Sequence, residues 1–237
     1  MGNTTSIGWT DSTINLVWGC TKVSEGCENC YMFRLSKQFG RNPEVIEYLK
    51  AGQHKEEFDK KVFQSGKRIF VNSMSDTFHE SIPFPIITSW LEWMKDHPEK
   101  QFQVLTKRIG RARKIINGIG GVADNIWIGT SVENNSHLFR IDTLSKIKAK
   151  IKFISFEPLL EEIDVMNLWL ENIQWVIVGG ESDSKNPRIM NPYWAWQIYN
   201  TCKEFDIPFF FKQIGGVGGD GAGGCILLQQ EIKEFPR

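Results

Sequence analysis

Phe102-Gln-Val-Leu-Thr106-Lys107-Arg108 is a short apolar run that stops in a polar cluster, and the same arrangement recurs along the chain. Runs rich in β-branched and aromatic residues stand at Ile14–Trp18, Arg68–Asn72, Phe102–Thr106, Asn125–Gly129, Ile151–Ser155, Ile173–Val178 and Ile207–Phe211. From the second onward their starts lie 22 to 34 residues apart, the length of one βα unit. Between them, Ile86–Met94 and Tyr193–Tyr199 carry apolar residues at three- and four-residue spacing, which predicts helices. Alternating elements with near-continuous apolar strands predict a parallel sheet covered by helices.

The polar ends choose between a barrel and an open sheet. Nearly every run stops in chemistry-bearing residues: Asn72–Asp76, Thr106–Arg108, Thr130–Asn134, Ser155–Pro158, Gly179–Ser182 and Lys212–Gln213. A barrel brings all such ends to one mouth, whereas an open sheet uses a single crevice and leaves its outer strand ends idle. The fold expected is therefore α/β, a partial or near-complete (β/α) TIM-like barrel of about six or seven parallel strands. It is expected to form one domain over 1–237, with a helical insertion at about 31–67 and a glycine-rich loop at 215–224. Within the insertion, Glu44–Leu49 and Glu56–Asp59 read as helical.

Lys plus Arg equals Asp plus Glu at 28 each, so bulk charge supports neither nucleic-acid nor membrane binding. No apolar run approaches the roughly 18 residues of a membrane span. Met1–Ser6 lacks a basic segment followed by an apolar one, so no signal peptide is expected. Five cysteines, three of them clustered, do not suit a secreted disulfide framework. A cytoplasmic protein is expected.

The cluster is Gly19-Cys20-Thr-Lys-Val-Ser-Glu-Gly26-Cys27-Glu-Asn-Cys30-Tyr31, directly after the first strand. Soft thiolates at this density suit zinc or an iron–sulfur cluster. An ordinary structural site takes four protein ligands. Three leave one metal position open, and an open position is where a metal site does chemistry. The rival is a structural zinc with His79 or a distant cysteine as fourth ligand. Cys202 reads as helix packing, Cys225 as incidental, and His54, His97 and His137 as solvated surface.

This loop after the first strand of a barrel resembles the radical S-adenosylmethionine superfamily. More narrowly, the chain resembles a phage-associated three-cysteine-motif family of unassigned function. That likeness spans nearly the whole chain and rests on Gly19–Tyr31, Ile69–Asp76, Phe102–Arg108, Ser155–Leu159, Trp175–Ser182 and Pro208–Gln213. It implies a 4Fe–4S cluster on Cys20, Cys27 and Cys30 that reductively cleaves S-adenosylmethionine. The resulting 5′-deoxyadenosyl radical would take hydrogen from an unidentified substrate. The likeness also implies an electron donor, and the phage association suggests nucleic acid or a nucleotide as substrate. The superfamily's usual cysteine spacing is three residues then two, against six then two here. Its Gly-Gly-Glu follows the second strand, whereas Gly179-Gly180-Glu181 follows a late one.

The site residues expected follow from that likeness and from the strand ends. Ser73, Ser75 or Asp76 meets the cofactor amino group, Lys107 or Arg108 its carboxylate, and Ser131 and Glu133 the ribose hydroxyls. Gly179 and Gly180 let backbone approach the adenine, and Tyr31 and Glu181 complete the cofactor set. Lys107, Glu157 and Lys212 carry the catalytic expectation; Trp18, His79 and Gln213 face substrate. Two other classes compete. One is a non-catalytic, zinc- or cluster-stabilised binding module acting with a partner protein. The other is a barrel hydrolase with Asp76, His79 and Glu157 on a metal.

Overall fold

A computed structural model describes residues 5–64, 66–168, 170–182, 185–218 and 221–237. The first four residues of the N-terminal reading, and Gly219 and Asp220 of the glycine-rich loop, lie outside them. The chain opens with β1 (Ser12–Ile14), β2 (Val17–Trp18), α1 (Tyr31–Gln38), β3 (Glu47–Tyr48) and α2 (Gln53–Gln64). A regular alternation follows: β4 (Arg68–Val71), α3 (Phe84–Lys95), β5 (Gln101–Thr106), α4 (Ile109–Gly118), β6 (Ile126–Ser131), α5 (Phe139–Ser145) and β7 (Lys152–Phe156). It ends with β8 (Trp175–Gly179), α6 (Pro192–Glu204), β9 (Phe209–Gln213), β10 (Ile226–Leu227) and β11 (Gln230–Glu231).

Seven strands form one sheet in the order β1-β4-β5-β6-β7-β8-β9, every neighbouring pair parallel. Each new strand adds beside the last, and β1 and β9 are the two edges. The sheet is a curled half-barrel, and Trp9 shows the curl. Its ring lies 4.6 Å from Phe70 on β4, 6.4 Å from Phe153 on β7 and 6.2 Å from Trp175 on β8.

Side chains alternate between the two faces of a strand, and both faces here are buried. Phe102 and Val104, Ile126 and Ile128, Val176 and Val178, and Phe209 and Phe211 pack into the outer core with α3 to α6. Phe70, Trp127, Phe153, Trp175, Ile177 and Phe210 point inward and close around Trp9. That double burial is why the strands read as continuous apolar runs rather than as alternating ones.

Each of the six later strands lies within two residues of its expected run. The first does not. Ile14–Trp18 splits into β1 and β2, because the amides of Leu16 and Val17 both donate to the Asn72 side chain (2.6 and 3.1 Å). β2 then leaves the sheet to pair antiparallel with β3. Glu44–Leu49 is accordingly not helical: Glu47–Tyr48 is the strand that β2 pairs with. The histidines expected at the surface are also corrected. His54 is buried edge-on to Trp93 at 5.5 Å. His97 sits between Asp59 (3.5 Å) and Glu99 (3.7 Å), and His137 between Glu25 (3.3 Å) and Glu133 (3.7 Å).

Candidate functional site

The C-terminal strand ends and the loop Cys20–Cys30 enclose a cavity of about 500 Å³. Ile7, Trp9, Phe70 and Leu105 give it apolar lining, with Thr13 beside Phe70. Its wall carries all three clustered cysteines, with Tyr31, Ser73, Ser75, Asp76, Lys107, Arg108, Ser131, Glu157, Gly180, Glu181, Lys212 and Gln213. Trp18, His79, Glu133 and Gly179 do not line it.

The loop runs as one short 3₁₀ turn, Glu25–Cys27, and then enters α1 with Cys30 as its N-cap residue. Gly19 opens it at φ +88°, where a side chain would strike the carbonyl of Val45. The thiols lie in different fields. Burial and the Asp76 carboxylate push Cys20 up to about 11, against the pull of Arg108. Burial also raises Cys30. Burial works against ionising Cys27 too, but the Lys107 charge and hydrogen bonds from the Val23 and Ser24 segment outweigh it and draw that thiol down. The charge of Cys27 is felt at both Cys20 and Cys30, so the three sulfurs are electrostatic neighbours.

Among the described residues, no group of three or more His, Cys, Asp or Glu stands in position to hold a metal ion. Cys20, Cys27 and Cys30 are soft donors that line the same cavity, but they are not placed together as a metal-holding group. A fourth ligand is not offered by the residues expected to provide one. His79 does not line the cavity, and both ring nitrogens are engaged: its Nδ1 accepts from the Ser81 amide (3.2 Å), so its Nε2 donates to the Thr21 hydroxyl (2.9 Å). Cys202 is buried in α6, and Cys225 lies near the β10–β11 hairpin. The trio Asp76, His79 and Glu157 likewise makes no metal site.

Several expected ligand contacts are already spent inside the protein. A guanidinium has five N–H donors, and those of Arg108 meet Glu80 (2.7 Å), Asp76 (3.3 Å), Cys20 Sγ (3.7 Å) and the carbonyl and hydroxyl of Thr21 (3.1 and 2.7 Å). Arg108 fastens the loop rather than offering a free fork to a carboxylate. Asp76 accepts from the Thr106 hydroxyl (2.7 Å), the Phe78 and Lys107 amides (2.9 and 3.1 Å) and Arg108. It shapes the ends of β4 and β5 and is no open receptor for an amino group.

Glu133 is fully buried beneath the loop, where it accepts from Ser24 (2.7 Å), Arg140 (2.9 Å) and Lys107. Burial would raise its carboxyl, but Lys107 and Arg140 hold it below the usual range. It is therefore not a ribose ligand. Glu181 accepts from Asn29 (2.9 Å) and from the Arg188 amide and guanidinium, which lower its carboxyl against the effect of burial. Gly179 and Gly180 are each demanded by close packing: a side chain on Gly180 would collide with the carbonyl of Ile214, and one on Gly179 would come 2.9 Å from Glu157 Oε1. Gln213 joins the Gly180 carbonyl (3.0 Å) to the Gly221 amide (2.6 Å), fastening the glycine-rich loop. Trp18 lies under the Arg41 guanidinium at 4.6 Å and edge-on to Phe39 at 6.2 Å, so it packs against the insertion, outside the cavity lining.

Other expectations stay on the cavity wall. Lys212 Nζ lies 3.3 Å from Glu157 Oε1, and Ser155 donates to the other Glu157 oxygen (3.1 Å). Tyr31 donates to the Ser73 carbonyl, and Ser75 donates to that of Gly19. The readings from sequence did not single out Ser155, Arg140, Asn29 or Arg188. Ser155 was within reach, because two-residue alternation from Phe153 points it inward. Arg188 carries no local signal at all, since its role depends on a glutamate that follows a strand end.

No curated protein and no solved structure matches this chain. Residues 4–233 match the sequence profile of a family described as protein of unknown function, DUF5131, and the chain belongs to that family.

Proposed function

We propose that the protein is a radical S-adenosylmethionine-type enzyme whose cavity receives a three-thiolate 4Fe–4S cluster, S-adenosylmethionine and a substrate. One observation carries this reading: Cys20, Cys27 and Cys30 line the same cavity at the C-terminal mouth of a parallel half-barrel, and His79 does not line it. Three soft donors with a vacant fourth position suit a reactive metal group better than a structural one. When bound, the cluster would supply the electron that cleaves the sulfonium to a 5′-deoxyadenosyl radical.

The chain's own groups support that use in stated ways. Ile7, Trp9, Phe70 and Leu105 contribute apolar lining, which would help to exclude water from reactive species. Tyr31, Ser73 and Ser131 bring polar groups to the wall for a ligand's hydroxyls. The Lys212–Glu157 pair with Ser155 sets a cationic donor beside an anionic acceptor, able to orient a polar substrate. Lys107 lies in the field of Cys27 and is tied to Glu133, so its part is to favour the thiolate.

The experiment is anaerobic reconstitution with iron and sulfide. The expected result is a broad visible charge-transfer band, followed by 5′-deoxyadenosine once S-adenosylmethionine and a reductant are added. Replacing any one of the three cysteines by alanine should abolish both. Stoichiometric zinc with no band, and no binding of S-adenosylmethionine, would establish instead a binding module acting with a partner protein.

A further inference from the structure

Arg108, Glu133 and Glu181 each stand two residues beyond the end of a different strand, β5, β6 and β8. Each reaches a different part of the cysteine loop. Arg108 holds its beginning, through Cys20 Sγ and both oxygens of Thr21. Glu133 holds its middle, accepting from the Ser24 hydroxyl while Gly26 lies against it so closely that a Cβ there would sit 2.5 Å from Glu133 Cγ. Glu181 holds its end, through Asn29, and its partner Arg188 donates to the carbonyl of Glu25 (3.0 Å).

Each of these charges also has a counter-ion that does not belong to the loop: Asp76 for Arg108, Arg140 for Glu133 and Arg188 for Glu181. A buried charge is tolerated only when paired, and here the pairing is complete without any metal. We propose that Arg108, Glu133 and Glu181 are positioning residues that hold the backbone of Cys20–Cys30 in its metal-receiving form before metal arrives. This rests on the reading that the three cysteines hold a metal, and it differs from small zinc modules, whose folding waits for the ion.

Two measurements test it. The first uses chelator-treated, metal-free protein and trypsin, whose target Lys22 is exposed near the start of the loop. The native wild type should resist cleavage after Lys22, whereas Arg108→Gln and Glu133→Gln should be cut there at least tenfold faster with their thermal melts still cooperative. The second is an anaerobic cobalt(II) titration followed by the thiolate-to-cobalt absorption band. Arg108→Gln should bind about tenfold more weakly, the usual scale for losing an outer-shell partner, and Arg108→Lys should recover part of that loss.

The proposal is overturned if metal-free wild type is cut at Lys22 as fast as the urea-unfolded chain, or if the folded variants are cut no faster than wild type. Equal cobalt affinity across all three proteins overturns it as well. If wild type shows no cobalt–thiolate band, the metal reading fails, and the trypsin comparison alone decides whether the clamp exists. If a variant does not fold, native against unfolded wild type still decides.

Discussion

Glu133 shows how far a residue's job can lie from the role its position suggests. A glutamate two residues past a strand end reads as a ligand contact, yet this one has no exposed surface and two cations of its own. Glu133→Ala leaves Lys107 and Arg140 facing each other without an anion, and should cost about 3–5 kcal/mol by urea denaturation. The sign of the pH effect follows from its lowered carboxyl. The folded state holds fewer protons than the unfolded one below the ordinary glutamate range, so the stabilisation is complete at neutral pH and lost as pH falls through the depressed value. Urea midpoints measured between neutral and acidic pH should show that loss, and Glu133→Gln should flatten it. Glycines offer a contrast on the same scale. Gly26→Ala forces a carbon into Glu133 and should destabilise by about 1–3 kcal/mol. Gly110→Ala, in α4 with nothing within 4 Å, should be neutral or gain up to about 1 kcal/mol in the same assay.

Among the elements, the β1–β2 segment is the one whose form is dictated from elsewhere in the chain. Asn72 adopts φ 63°, a left-handed conformation that asparagine tolerates. From there its carbonyl oxygen takes the Leu16 and Val17 amides, and its amide donates to Thr77 (2.8 Å). The strand is interrupted at that point, and the chain turns out toward β3 and into the cysteine loop. Asn72→Gly keeps the backbone geometry but orphans two buried amides, and should cost about 1–3 kcal/mol for each group left unsatisfied. If backbone conformation alone mattered, Asn72→Gly would be harmless; hydrogen exchange at Leu16 and Val17 separates the two cases. The helices are more legible, since Ile86–Met94 and Tyr193–Tyr199 follow the 3.6-residue period and lie within α3 and α6.

At the scale of the whole molecule, the half-barrel has two cores that share one sheet. The outer one mixes aliphatic and aromatic side chains and is helix-covered; the inner one is a ring of aromatics around Trp9, which with Phe70 also lines the cavity. Trp175 is its hub, with ring centroids of Trp9, Trp127, Phe153, Phe210 and Phe235 all within 6.3 Å. Trp175→Ala should cost about 3–5 kcal/mol in urea denaturation and reduce the near-ultraviolet circular dichroism of the native state. A change in signal without a change in midpoint would mean that the interior relaxes to fill the space.

The strand rhythm, the parallel sheet and the gathering of polar ends at one mouth were written in local patterns, because period and punctuation are properties of neighbours along the chain. So was the presence of three soft donors in one loop. Which charged strand-end residues remain available to a ligand was not. Arg108, Asp76, Glu133 and Glu181 are committed to partners up to 152 residues distant, such as Asn29 for Glu181. Lys212 and Glu157 face each other across the cavity wall only because β7 and β9 flank β8. A side chain's hydrogen-bonding capacity is known from its type, but who claims it first depends on what folding brings within about 3 Å. That allocation belongs to the tertiary structure alone.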